Sequence, residues 1–159
     1  MRFNEKVNNP LIGGAIEVYK KEPGAKTRKM LIEQILQANF LCPAAVSMEP
    51  LMSDNGDLYL PEGCEVSPKM IQNAKGCPLL MAFTSQAQMD KWMENRAVRD
   101  RVYGFACDFS DYVALMLQKQ EDGSYGPAEG FVIDPYGYDL VVDRDMVANL
   151  WLSVSLGRD

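Results

Sequence analysis

The sequence predicts an α/β fold in one domain, residues 1–159. The expected architecture is a mixed β-sheet of five to six strands with helices packed on its faces and a C-terminal hairpin plus helix. Two observations carry this prediction. Apolar runs of strand length alternate with helical patterns over residues 79–118. Two more apolar runs and another helical pattern follow at residues 131–151. Such alternation is typical of a sheet covered by helices.

The N-terminal half predicts two helices and then a strand. The first helix has Asn8 or Asn9 as its expected cap and Pro10 in its first turn. The second is expected to be capped by Thr27. An apolar strand follows at residues 39–46, and residues 47–78 are the least regular part, with one brief strand at 58–60. The second helix has an apolar stripe of Met30, Leu31, Ile35 and Leu36.

The next segments are more regular. Residues 79–83 form a continuous apolar run, which predicts a central buried strand. Either Thr84 or Ser85 is expected to cap the helix that carries Trp92. A strand over residues 99–107 and a helix opened by Asp108 or Ser110 complete this part.

The stretch GFVIDPYGYDLVVDRDMV, residues 130–147, allows two interpretations. One is a hairpin followed by a capped helix, and the other is a loop whose aspartates form a carboxylate site. The hairpin is favoured, because Pro135 presets a turn and Gly137 is expected at the φ > 0 position. Asp143 or its neighbour then caps the last helix, with Asp145 in the first turn.

Composition excludes several functions. The net charge of -6 opposes binding to nucleic acids or anionic membranes. No apolar run is long enough to span a bilayer, and the N-terminus lacks the apolar region of a signal peptide, so a cytoplasmic location is expected. The chain has no histidine, so Ser-His and Cys-His pairs and imidazole metal sites are absent. No phosphate-binding motif occurs, and we expect neither a metal nor a cofactor.

Three residue classes receive structural interpretations. The four cysteines are expected to be free thiols in a reducing compartment. The basic residues of segment 20–29 are expected to form a solvated face. Methionines at helical or strand spacing are expected to fill the core, namely Met30, Met81, Met89, Met93, Met116 and Met146.

Three motifs in order give the chain a family resemblance. They are NPLIGGAI near the start, LLMAFTS followed by a Trp-bearing helix, and GFVIDPYGYDLVVDRDMV near the end. Together they resemble the N-terminal domain of the bacterial SseB family, named for an enhanced-serine-sensitivity phenotype, over residues 8–153. The family pattern has Ile-Asn-Pro-x-Gly where this chain has Asp134, and the extra domain of some members is not in the sequence. The resemblance implies a link to amino-acid metabolism or stress physiology and supplies no catalytic residues.

Two functional classes follow. The first is a non-catalytic regulatory module that binds a protein or peptide. The second is a histidine-independent hydrolase or ligand-binding enzyme that uses Asp, Ser or Cys. Sites in sheets with alternating helices gather where strands end and helices begin. The expected partner surface therefore comprises Thr84, Ser85, Asp134, Tyr136 and Tyr138, and assembly as a homo-oligomer stays open.

Overall fold

A computed structural model describes residues 1–94, 101–119, 121–124 and 126–157. These residues form five helices and ten strands. The helices are α1 Ile12–Lys21, α2 Ala25–Gln37, α3 Gln86–Glu94, α4 Phe109–Leu117 and α5 Arg144–Ser155. The strands are β1 Arg2–Phe3, β2 Phe40–Val46, β3 Leu51–Met52, β4 Leu58–Tyr59, β5 Val66–Pro68, β6 Met70–Gln72, β7 Pro78–Ala82, β8 Val102–Cys107, β9 Gly130–Ile133 and β10 Leu140–Asp143.

The strands form two four-stranded sheets and a small ribbon. The first sheet has the order β1-β8-β2-β5 and is antiparallel throughout. The second has the order β10-β9-β7-β6, in which β7 and β9 are parallel and the other pairs are antiparallel. Strands β3 and β4 pair as a separate antiparallel ribbon. The mixed α/β fold and the terminal hairpin predicted from the sequence are confirmed.

The two large sheets meet along one edge of β2. Leu41 and Phe83 form an antiparallel bridge, in which each N–H donates to the other's carbonyl at 2.8 and 2.9 Å. Farther along the same strand, Ala44 to Val46 pair with β5 instead. The chain passes from β5 to β6 through Lys69, so these two short strands fill the fork between β2 and β7.

Side-chain alternation along the central strands builds two core layers. Leu80 and Ala82 of β7 face the larger layer, which α1, α2, α4 and α5 cover. Leu79, Met81 and Phe83 face the smaller layer under α3, where they meet Met89 and Trp92. This two-sided burial explains why residues 79–83 are apolar without a break.

Caps near the sheet follow the sequence prediction. Asp108 accepts the Asp111 N–H at 3.0 Å and opens α4 with a reciprocal capping box. Asp143 accepts the Met146 N–H at 2.9 Å and opens α5, with Asp145 in the first turn. The hairpin-and-cap interpretation of residues 130–147 is therefore confirmed.

The two N-terminal caps were predicted wrongly. Helix α1 begins at Ile12, and its N-cap residue is Leu11, which makes no side-chain hydrogen bond to the helix. The side chain of Asn9 makes long-range hydrogen bonds instead of capping the helix. Helix α2 begins at Ala25 after Gly24, and the Thr27 hydroxyl donates backward to the Glu22 and Gly24 carbonyls. Residues 47–78 also hold four short strands where one was expected.

The cysteines and methionines divide between core and surface. All four cysteines are free, with Cys42 and Cys107 buried and Cys64 and Cys77 partly exposed. The expected core position of Met30 is wrong, since 46% of this residue is exposed on α2. The other five methionines predicted for the core are buried or half-buried: Met81, Met89, Met93, Met116 and Met146.

No helix in the part of the chain that the structure describes is both long and apolar enough to cross a membrane. Positions 99 and 100, the predicted start of the strand before Cys107, lie outside the described residues.

Candidate functional site

The carboxyl ends of the parallel strands β7 and β9 bring Thr84 and Asp134 together. The two residues are 50 positions apart in sequence; Asp134 directly follows β9, and Thr84 comes two residues after the end of β7. One carboxylate oxygen of Asp134, Oδ1, accepts the Thr84 N–H at 2.8 Å, and Oδ2 accepts the Thr84 hydroxyl at 2.6 Å. The hydroxyl of Thr84 thus serves Asp134 and does not cap α3.

Asp134 is fully buried and uses each of its backbone polar groups. Its N–H donates to the Ala82 carbonyl, while its own carbonyl accepts the N–H groups of Gly137 and Asp139, both at 2.8 Å. The residue has φ of 47°, in the left-handed region that aspartate tolerates better than most side chains. Burial raises the pKa of Asp134, although the hydrogen bonds from Thr84 act in the opposite direction. The carboxylate therefore fixes the start of the β9–β10 loop.

Asn9 ties the N-terminal segment to the same place. Its side-chain amide donates to the Thr84 carbonyl at 2.9 Å and to the Asn39 carbonyl at 2.7 Å. Its oxygen accepts the Asn39 N–H at 3.1 Å. Asn9, Thr84 and Asp134 thus form one hydrogen-bonded unit, the strand-end cluster, which joins three segments distant in sequence.

The remaining predicted site residues have different surroundings. Ser85 accepts the Gln88 N–H through its hydroxyl at 3.3 Å, so it caps α3 as predicted. Tyr138 packs against the larger core layer, and its carbonyl accepts a hydrogen bond from Lys20. Tyr136 is 54% exposed at the tip of the β9–β10 loop. Of the five predicted residues, Tyr136 presents the largest free surface.

The prediction of φ > 0 at Gly137 is wrong. Among the loop residues 134–139, the left-handed positions are Asp134 and Asp139, with φ of 47° and 52°. Gly137 matters for space, because a Cβ there would lie 2.7 Å from the Gln88 side-chain oxygen. The sequence identified the turn correctly but assigned the unusual backbone angle to the wrong residue.

A groove between α2 and α5 was missed by the sequence analysis. Its volume is about 1030 Å³. We call it the α2–α5 groove and define it by Arg28, Lys29, Ile32 and Leu36 on α2 and by Leu150 and Val154 on α5. The α2 residues share one face at i, i+4 and i+8 spacing, and the α5 pair follows the same rule. The sequence analysis had placed the apolar stripe of α2 at Met30, Leu31, Ile35 and Leu36, and only the tertiary structure shows that this other face of α2 borders the same gap as Leu150 and Val154.

The α2–α5 groove has an apolar floor and a charged rim. Ile32, Leu36 and Leu150 are half-buried, and Val154 is 45% exposed. Arg28 and Lys29 lie on the rim near the start of α2, and Glu33 lies farther along it. The basic segment that the sequence predicted to be a solvated face therefore borders this groove through Arg28 and Lys29.

Two further groups whose pKa is raised, Cys107 and Tyr112, are buried in the core. The neighbouring Cys42 thiol and burial both raise the pKa of Cys107. Burial raises the pKa of Tyr112, whose hydroxyl donates to the Met81 carbonyl at 2.8 Å. These side chains are inside the larger core layer, away from the α2–α5 groove. Within residues 1–94, 101–119, 121–124 and 126–157, no group of three or more acidic or cysteine side chains could hold a metal ion.

Fold and site geometry together define a mixed α/β domain with a helical groove on one face. A family model described as the SseB protein N-terminal domain matches residues 13–149. The chain therefore belongs to the SseB family. No curated protein and no solved structure matches it significantly.

Proposed function

We propose that this chain is a non-catalytic module that binds a protein or peptide and regulates that partner. The observation that carries the proposal is the α2–α5 groove, in which Ile32, Leu150 and Val154 form an apolar surface that no element among the described residues covers. Partner helices and peptides bind such grooves through apolar side chains at helical spacing. A cytoplasmic location and a role in amino-acid metabolism or stress physiology belong to the same proposal.

The condition of the reactive side chains supports binding rather than catalysis. Asp134 is engaged by Thr84, the Ser85 hydroxyl accepts a helix amide, and the Cys107 thiol is buried. A nucleophile needs an adjacent base and access to a substrate. These three groups lie in separate hydrogen-bonding or packing environments, which supports a binding module over an enzyme that uses them together.

The test begins with selection of peptides from a displayed random library on the folded protein. Affinities of the selected peptides are then measured for Val154→Ser and for a Tyr136→Ala/Ser85→Ala double variant. We expect Val154→Ser to weaken binding about fivefold to tenfold, because about 1–1.4 kcal/mol of apolar contact is lost. The double variant, at the surface predicted from sequence, should bind as the wild type does.

If the Tyr136→Ala/Ser85→Ala variant binds more weakly and Val154→Ser binds as the wild type does, the binding site lies at the loop that carries Tyr136. Circular dichroism spectra that show each variant folded at the assay temperature ensure that either loss reflects contact and not unfolding. If the wild type hydrolyses ester or amide substrates and Asp134→Asn or Ser85→Ala abolishes this activity, the enzyme alternative replaces the binding proposal.

A further inference from the structure

We infer that the α2–α5 groove receives an acidic amphipathic helix of a partner protein. This inference rests on the proposed function and names the chemistry of the partner. It follows from three features: the length and spacing of the apolar stripes, the charge around the start of α2, and the lack of matching charge on α5.

The length of the groove along α2 fits a short helix. The α2 face that lines it runs from Ala25 to Gln37, a span of about 18 Å at 1.5 Å per residue. This length corresponds to about three helical turns. A helix satisfies its own backbone hydrogen bonds, so it can cover Ile32, Leu36 and Leu150 without leaving polar groups unpaired on the apolar floor. A helix of three turns or more would thus complete the layer that α2 and α5 leave open.

The charge around the groove selects an acidic partner. Residues 20–29 contain five cations and one carboxylate, although the whole chain has a net charge of -6. Two of these cations, Arg28 and Lys29, line the groove near the start of α2, and one carboxylate, Glu33, lines it farther along, so the charge of the lining is still positive. Helix α2 has no acidic residue in its first turn, and Gly24 provides no side-chain cap. The positive end of the helix dipole therefore adds to the cationic rim, and carboxylates of the partner are expected beside it.

A second copy of the chain fits this charge less well. The exposed apolar residues of α5, Leu152 and Leu156, could enter a groove of another copy. However, the carboxylates nearest to them on that helix are at its start, at Asp143 and Asp145. A docked α5 would bring an uncharged surface to Arg28 and Lys29 and would offer these cations no carboxylate. The observations favour a separate partner with its own acidic face.

Two synthetic helical peptides test the inference. Both carry leucines at i, i+3, i+4 and i+7, and the remaining positions are mainly Glu in one peptide and mainly Lys in the other. Binding is followed by amide chemical-shift changes in ¹⁵N-labelled protein, which locate contact on α2 and α5. We expect the Glu peptide to bind at least tenfold more tightly than the Lys peptide. Reversal of the rim in Arg28→Glu/Lys29→Glu should invert this preference.

A control variant, Lys6→Glu/Lys75→Glu, makes the same change of net charge at exposed positions away from the groove. It should keep the preference for the Glu peptide. Equal binding of both peptides in the groove, or tighter binding of the Lys peptide, would overturn the acidic partner and leave the binding groove intact. Absence of shifts on α2 and α5 with either peptide would count against the proposed function itself. If the wild type forms concentration-dependent dimers and Arg28→Glu/Lys29→Glu disrupts them, the groove binds a second copy of the chain instead.

Discussion

The strand-end cluster and the α2–α5 groove differ in what they leave open to a partner. In the cluster, Thr84 and Asp134 satisfy each other and are buried, so their polar groups hold the chain together. In the groove, Ile32 and Val154 keep apolar surface exposed beside two cations. Polar residues at these strand ends therefore mark a structural joint in this protein, whereas the gap between helices is where apolar surface stays exposed.

Replacement of Asp134 by Ala is expected to give the largest effect on stability. The substitution leaves the Thr84 N–H and hydroxyl without their acceptors in a buried place and puts Ala at a left-handed φ. We expect the free energy of unfolding to fall by about 2–4 kcal/mol, measured by urea denaturation. Asp134→Asn is the matched control, because it keeps an acceptor and tolerates the backbone angle, and it should lose about 1 kcal/mol. A neutral Asp134→Ala variant would show that the cluster is not a structural joint.

Gly13→Ala should have the next largest effect. A Cβ at Gly13 would lie 2.2 Å from the Tyr138 hydroxyl oxygen, which packs closely on α1. Displacement of the tyrosine should cost about 1–3 kcal/mol. The neighbouring variant Gly14→Ala meets no atom within 4 Å and should be stabilised by about 0.5–1 kcal/mol through better helix propensity. Equal thermal stability of the two variants would remove the argument for close packing of the loop on α1.

The smallest expected effect is a pH dependence that belongs to Asp134. Its pKa is raised in the folded protein above the ordinary value of 3.8. At pH values between the pKa of Asp134 in the unfolded state and its raised pKa in the folded state, the folded state binds more protons than the unfolded state. The contribution of Asp134 to stability therefore falls as pH rises. The stability of the wild type relative to Asp134→Asn should therefore be greatest at low pH and decrease as the pH rises through that window. Denaturation of both proteins at several acidic pH values measures the difference, and a difference that grows with pH would contradict burial as the cause of the shift.

Local sequence signals predicted the parts of the fold that depend on near neighbours. The apolar run at residues 79–83 and the capping residues Asp108 and Asp143 act within a few positions of themselves. Periodicity and capping preferences are sufficient there. The family resemblance extended this to nearly the whole chain, and the match to residues 13–149 confirmed it.

Long-range partners set the features that the sequence did not reveal. Asn8 or Asn9 was expected to cap α1, but the Asn9 side chain instead donates a hydrogen bond to the carbonyl of Thr84, 75 residues away. Similarly, nothing local to Asp134 indicates that Thr84 will bury and bind its carboxylate. The α2–α5 groove depends on the relative position of helices whose lining residues are more than 100 positions apart. Such pairings need the tertiary structure.

The β3–β4 ribbon has a consequence for how the chain can vary in length. Because its strands, Leu51–Met52 and Leu58–Tyr59, form a sheet of their own, extra residues between them shift no register in the two large sheets. The turn at Asn55 and Gly56 is exposed and has Gly56 at φ of 89°. Insertions and deletions among related chains should therefore collect in this ribbon, since surface loops tolerate them best. The same turn is a suitable position for an inserted epitope or a fluorescent label.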